Sequence, residues 1–376
     1  MALISLRTLG AVLLCTLVAS CGSLPRGAGL QSEVLAASDV DIQPNGDPVY
    51  DFAVFEITRD NLATLAKWPL RDTSHYHWIN RQAQPATLSI KAGDLMNVTI
   101  WDAEENSLLT NQGQRVVQLQ EIKVASNGRI FIPFVGDMKV TGMSPQNARV
   151  QIENQLTQTI PSAQVQISVT PGRANTANLV SGVNAPGVYP LPDRDYTLLS
   201  LLSEGSGVRG DITNPQVRLM RGSKIYGIPL SDIYQNAKFD TTLVGGDRVI
   251  IAEDERYFLS LGATGSEAVH NFPKADVSAL DALSIIGGVS DDRADPQGIL
   301  ILREYKSSAV RSTMSAGPPQ SRVVFTIDLT SADGLFSAAK FAVQDGDLVY
   351  ATESPVNAAQ TVFGILGSVL GIANRL

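Results

Sequence analysis

Few residue patterns in this chain have the types and spacing needed for chemistry. His75 and His77, one residue apart, would lie on the same side of a strand and could share a metal ion. No carboxylate or cysteine set accompanies them, so they read as a surface or packed pair, and no metal site is assigned. Gly205-x-Gly207-x-x-Gly210 fits the dinucleotide fingerprint literally. That fingerprint needs a strand before it and a helix after it, whereas here a helical pattern precedes and Pro215 stands where the helix should run. It reads as a helix stop and a loop. Glu104-Glu105 and Asp291-Asp292 suit solvated loops better than an acid–base pair, although the spacing of an inverting glycosidase pair is left open. No nucleophile elbow, P-loop or H-E-x-x-H occurs. No catalytic residue and no cofactor is assigned, and the chain is read as a non-enzyme.

Both cysteines, Cys15 and Cys21, fall in the first 21 residues, which excludes a disulfide framework, a Cys-rich zinc site or a buried thiol further on. Arg7 precedes an apolar or small run over 9–19, too short for the roughly 20 residues a spanning helix needs. Val18-Ala19-Ser20-Cys21 then resembles the lipobox of bacterial lipoproteins, in which the cysteine receives diacylglycerol and becomes the mature N-terminus. The resemblance implies that residues 1–20 are a lipoprotein signal peptide and Cys21 the lipidation site, with an ordinary cleaved signal as the alternative, and 21–49, rich in Pro and Gly, is the expected lipidated tether. By the same resemblance, Gly22 after the cysteine implies sorting to the outer membrane. Composition narrows the remainder. With 29 Lys plus Arg against 37 Asp plus Glu the net charge is −8, unsuited to nucleic acid. With 44% hydrophobic and 18% charged residues the 376-residue chain is not disordered and is long enough for several cores.

The elements follow from local patterning. A strand is expected over 54–58, then a helix capped by Asp60 or Asn61 and stopped at Pro69. From Thr87 the pattern is β: Leu88 and Ile90, a Gly93-Asp94 turn, then Leu95, Val98, Ile100 and Trp101. Asn127-Gly128 predicts a hairpin joining 116–124 to 129–134. Ser144 caps and Pro145 opens a helix whose apolar face is Ala148, Ile152 and Leu156. Further on, residues 197–208 recur as 278–289, an offset of 81 that Pro215 and Pro296 keep. Gly246-Asp247-Arg248-Val249 matches Gly346-Asp347-Leu348-Val349 at an offset of 100. The polar stretch 307–320 absorbs the difference as a loop in the second copy.

Ala92-Gly93-Asp94-Leu95, Trp101-Asp102, Asn127-Gly128-Arg129-Ile130, Pro133-Phe134-Val135-Gly136 and Val140-Thr141-Gly142-Met143-Ser144 resemble the polysaccharide biosynthesis/export domain. The repeats, opening with residues 182–189 and 262–265, resemble the soluble-ligand-binding β-grasp module. With the lipobox, this order of parts is that of Wza-like outer-membrane polysaccharide export lipoproteins. The expected fold is α+β, a polysaccharide-export domain followed by two β-grasp-like repeats and a C-terminal amphipathic transmembrane helix. The boundaries are 50–178 for the export domain with its N-terminal strand and helix, 179–256 and 257–354 for the repeats, and 355–376 for the terminal helix.

Residues 356–376 carry no charge until Arg375 and would form a helix about 31 Å long, near a bilayer's hydrocarbon thickness. At about 100° per residue, Asn357, Gln360, Thr361, Gly364, Ser368, Gly371, Asn374 and Arg375 share one face. Val362, Ile365, Leu366, Val369, Leu370 and Ala373 lie opposite. The first set is the expected pore lining and the second the expected lipid-facing side. The resemblance implies that such helices, one per subunit, form a barrel through the outer membrane above a periplasmic homo-oligomeric ring, with the C-terminus at the cell surface. Through it would pass a capsular or extracellular polysaccharide, delivered by an inner-membrane polysaccharide copolymerase or its associated kinase. The alternative is a periplasmic sugar-binding or scaffolding lipoprotein without a pore.

Overall fold

In the computed structural model, residues 27–36, 41–42, 48–49, 52–70, 76–102 and 116–356 are described. They fall into two units, 75–254 and the combination of residues up to 74 with 255 onward.

The 75–254 unit begins with a three-stranded antiparallel sheet in the order Val116–Lys123, Leu95–Trp101, Gln164–Thr170. Period-2 alternation puts Met96, Val98 and Ile100 of the central strand inward. The helix Pro145–Leu156 covers them with Ala148, Ile152 and Leu156, all fully buried, one turn apart. The Ser144 hydroxyl accepts the Asn147 N–H at 3.1 Å and so caps this helix, and Pro145 at the first helical position sacrifices no bond. The turn at Asn127-Gly128 also forms, with Gly128 at φ 78° and the Ala125 N–H donating to the Arg129 carbonyl. It does not close the expected hairpin. Val116–Lys123 pairs with Leu95–Trp101, whereas Arg129–Ile132 pairs with Gly136–Lys139. An Asn-Gly turn fixes the local reversal, and burial of the two strands' apolar faces decides which sheet each joins.

Next in the same unit is a five-stranded sheet in the order Gly187–Pro190, Thr176–Ser181, Arg248–Ala252, Gln216–Arg221, Lys224–Pro229. The other unit holds the same order, Ala268–Asn271, Tyr257–Gly262, Leu348–Glu353, Ala294–Glu304, Arg322–Ile327, extended by Ala53–Glu56. In each sheet one pair within the repeat is parallel, Thr176–Ser181 with Arg248–Ala252 and Tyr257–Gly262 with Leu348–Glu353. Isolated bridges repeat as well: Val183 to Val208 and Thr264 to Val289, then Thr197 to Thr242 and Ser278 to Ala342. These keep the sequence offsets of 81 and 100. The helices Leu198–Glu204 and Ala279–Ile285 seal the two cores with Leu198, Leu201 and Leu202 in one and Ala279, Ala282 and Leu283 in the other. Gly207 lies in the loop that stops the first of these helices, its N–H donating back to the Leu202 carbonyl at 2.8 Å. The turn Gly222-Ser223 of the first repeat is replaced in the second by residues 305–321, with one short 3-10 turn, Ser307–Ala309.

The expected fold class needs a correction. The described chain is α+β with several sheets, and among the described residues no helix is long and apolar enough to cross a membrane. The longest, Pro145–Leu156, has 12 residues and buries a single stripe on a sheet, short of the roughly 20 apolar residues a spanning helix takes. A C-terminal transmembrane helix is therefore not supported. Residues 355–356 are helical and exposed, and 357–376 lie outside the described residues.

Candidate functional site

One local device recurs three times and organises the cleft described below. Gly93-Asp94, Gly246-Asp247 and Gly346-Asp347 each place the glycine at positive φ (92°, 91° and 71°) and bury the aspartate completely or nearly so. Each carboxylate accepts the backbone N–H three residues back, from Lys91 at 2.8 Å, Val244 at 2.9 Å and Gln344 at 2.7 Å. A buried carboxylate requires further partners. Asp247 is clasped by Arg221 through Nε at 2.9 Å and Nη2 at 2.7 Å, and Asp347 by Arg303 in the same two-pronged way. Both arginines also donate to a carbonyl at the equivalent position, Thr242 and Ala342. Asp94 takes neutral donors instead: the Gly172 N–H at 2.7 Å and the Asn175 amide at 2.8 Å, which also donates to the Ser89 carbonyl.

Two of these turns border a cleft of about 530 Å³ that lies wholly within the 75–254 unit. One wall is the irregular segment 82–91. It is strapped down by bonds from Trp78 Nε1 to the Phe239 carbonyl (2.8 Å), from the Arg81 N–H to the Lys238 carbonyl (2.7 Å) and from the Thr242 hydroxyl to the Gln82 carbonyl (3.3 Å). Arg81 adds an ion pair to Asp195 at 2.9 Å, and the Gln84 N–H donates to the same carboxylate. The opposite wall is the 242–245 turn, where Gly245 is required because a Cβ there would collide with the Ala174 carbonyl. Lys91 reaches that same carbonyl at 2.9 Å, and Arg194 donates to Gln84 Oε1 at 2.9 Å. Neither cation has a carboxylate partner among the described residues, whereas Arg221, also in the lining, is neutralised by Asp247.

The sequence-assigned positions lie mostly elsewhere. Cys21, His75, the expected pore-lining residues from Asn357 to Arg375 and the expected lipid-facing residues from Val362 to Ala373 are outside the described residues. His77 is exposed, and among the described residues no group of three or more His, Cys, Asp or Glu could hold a metal. Asp291 and Asp292 are exposed loop residues. The cleft residues escaped sequence reading because glutamines, a lysine and an arginine in a Pro-containing stretch look like solvated loop. The recurring Gly-Asp pair was the available signal.

Residues 82–170, one part of the cleft-bearing unit, match the family described as polysaccharide biosynthesis/export protein. This is the stretch whose motifs resemble that family. Across a larger span the chain is similar to the capsule polysaccharide export protein BexD of Haemophilus influenzae, 25% identical over 296 residues, 75% of each chain. It is likewise similar to the capsule polysaccharide export outer membrane protein CtrA of Neisseria meningitidis, 25% identical over 293 residues and covering 74% of this chain and 75% of the relative. The EPS I polysaccharide export outer membrane protein EpsA of Ralstonia nicotianae is 25% identical over 288 residues, 71% of each. These similarities are consistent with the resemblance to Wza-like export proteins.

Proposed function

We propose that this protein is an outer-membrane component that exports a capsular or extracellular polysaccharide, assembled as a homo-oligomeric ring around the polymer's path. It is held to the membrane by lipid on Cys21 and supplied from the inner membrane by a polysaccharide copolymerase or its associated kinase. The observation that carries this reading is the breadth of similarity: relatives named for polysaccharide export align over 71 to 75% of the chain, well beyond the 82–170 domain. The fold supports assembly. The edge strands Gly187–Pro190 and Ala268–Asn271 each expose a valine at the equivalent position, Val188 at 65% and Val269 at 62%, beside exposed Val180 and Leu261. Apolar side chains on free sheet edges are what subunit contacts cover. The domain limits 50–178, 179–256 and 257–354 belong to the same proposal as divisions along the sequence; in the fold, Ala53–Glu56 joins the sheet of the second repeat and Thr176–Ser181 that of the first. Two measurements on the full chain extracted in detergent test it. Native mass should show a multiple of the 40.1 kDa chain, less its leader, and a monomer at all concentrations would refute the ring. Labelled palmitate should enter the wild-type protein and be absent from Cys21→Ser. Equal labelling of both would remove the anchor.

A further inference from the structure

We propose that the cleft of the 75–254 unit is a binding site for a carboxylate-bearing sugar of the transported polymer, an inference that rests on the export reading and adds the ligand class. The volume, about 530 Å³, is that of a small-molecule site and accommodates a short saccharide segment as well as an isolated ion. Charge selects the ligand. The chain as a whole carries −8, so a polyanion is repelled by its general field. On the cleft's accessible surface the balance reverses. Lys91 and Arg194 face one lining carboxylate outside the Arg221–Asp247 clasp, Asp193, whose Oδ1 already accepts the Asp195 N–H at 2.7 Å, while the Asp94 carboxylate is fully buried behind Asn175 with its hydrogen bonds satisfied.

Donor capacity points the same way. Lys91 commits one ammonium N–H to the Ala174 carbonyl, leaving two, and Arg194 commits one guanidinium nitrogen to Gln84. Both are therefore aimed by neutral acceptors and keep their charge for a ligand. Around them stand uncharged donors and acceptors suited to hydroxyls. With its Oε1 occupied, Gln84 still offers its amide N–H groups, and Gln82 offers a whole side-chain amide. Half-buried Leu88 supplies an apolar contact for the CH face of a pyranose, while Leu191 and Leu243 belong to the core beneath. Among the described residues no aromatic ring lines the cleft, which disfavours a nucleobase. The strap bonds and the Asn175 to Asp94 bond hold both walls in place before any ligand arrives, so little ordering cost falls on binding.

The test is calorimetric titration of the detergent-solubilised full chain with trigalacturonate, with maltotriose and with inorganic phosphate. Trigalacturonate should bind at least tenfold tighter than maltotriose. Lys91→Met and Arg194→Gln should each weaken it at least tenfold while leaving the thermal midpoint within a few degrees, and Lys91→Arg should restore most of the affinity. Equal affinity for the neutral and acidic trisaccharides, unchanged binding in both variants, or phosphate binding as tightly as the uronate overturns the proposal. Loss of the export reading is distinguishable. A strain lacking the protein that still displays its polymer refutes export, whereas normal dependence of export on the protein, together with no uronate binding, refutes only the cleft's assignment.

Discussion

The two arginine–aspartate clasps are copies of one geometry set at different depths, which makes their contrast a quantitative test. Arg303 and Asp347 have side chains 4% and 0% exposed, and Arg221 and Asp247 are 26% and 1% exposed. Burial alone would pull the Arg303 guanidinium down, but the Asp347 carboxylate outweighs it and holds the group above its ordinary value. The cation therefore persists inside a shell of Phe325, Phe341 and Tyr305 rings, 5.1 to 5.9 Å from its carbon. Asp347→Asn keeps the shape but removes the charge and one acceptor, leaving a buried guanidinium without a counter-ion. Breaking a buried pair in this way costs about 3 to 5 kcal/mol. In Asp247→Asn water can reach Arg221, and the loss is that of a charged hydrogen bond, about 1.5 to 3 kcal/mol. Urea unfolding of the full chain gives the size of each change. Amide exchange locates it: Leu348–Glu353 should lose protection in the first variant and Arg248–Ala252 in the second. An Asp247→Asn loss equal to or above that of Asp347→Asn would refute the claim that depth of burial sets the difference.

Other outcomes follow from single features. Asp281 is held down at about 2 from 3.8 by its bond with Lys274 and by the Ser278 backbone N–H in a capping arrangement. A lowered carboxylate stabilises above its unfolded value and loses that contribution as pH falls, so Asp281→Asn should flatten the decline in stability between about pH 4 and pH 2. Phe134 sits at φ 65° and is 51% exposed, a backbone state costly for a bulky residue. Phe134→Gly should raise the stability of the 129–139 hairpin's unit by about 1 kcal/mol, and a loss of that size in denaturant unfolding would show that the ring's contacts outweigh the strain. Ile152→Ala removes a fully buried side chain from the core of the 82–170 stretch and should cost about 2 to 5 kcal/mol, whereas no change in the urea midpoint would refute its burial in that core.

What was legible in the residues was local. Ser144, Pro145 and the Ala148, Ile152, Leu156 spacing specify one helix completely, because cap, first position and buried face all lie within 13 residues. The repeat offsets were legible too, since equivalent glycines and apolar helix faces must recur if two segments share a sheet order. Long-range partner choice was not. A strand is legible over 54–58, but nothing in it names Arg322–Ile327 as the parallel neighbour that Ala53–Glu56 pairs with in the sheet. Arg221 and Arg303 look like ordinary surface arginines in their strands, and only the fold shows that they close the Gly-Asp turns. The cleft is assembled from residues 82–91, 175, 191–194, 221 and 242–245, whose convergence no period encodes. The terminal apolar run shows the opposite failure. Its length and amphipathic pattern suit a membrane span, yet pattern alone cannot stand for an observed helix.

The central claim is export, and the most direct measurement locates the polymer in the producing strain when this protein is absent. Polymer should still be made but retained beneath the outer membrane, with surface display restored by the wild-type chain. Undiminished surface polymer in the strain lacking the protein would contradict it.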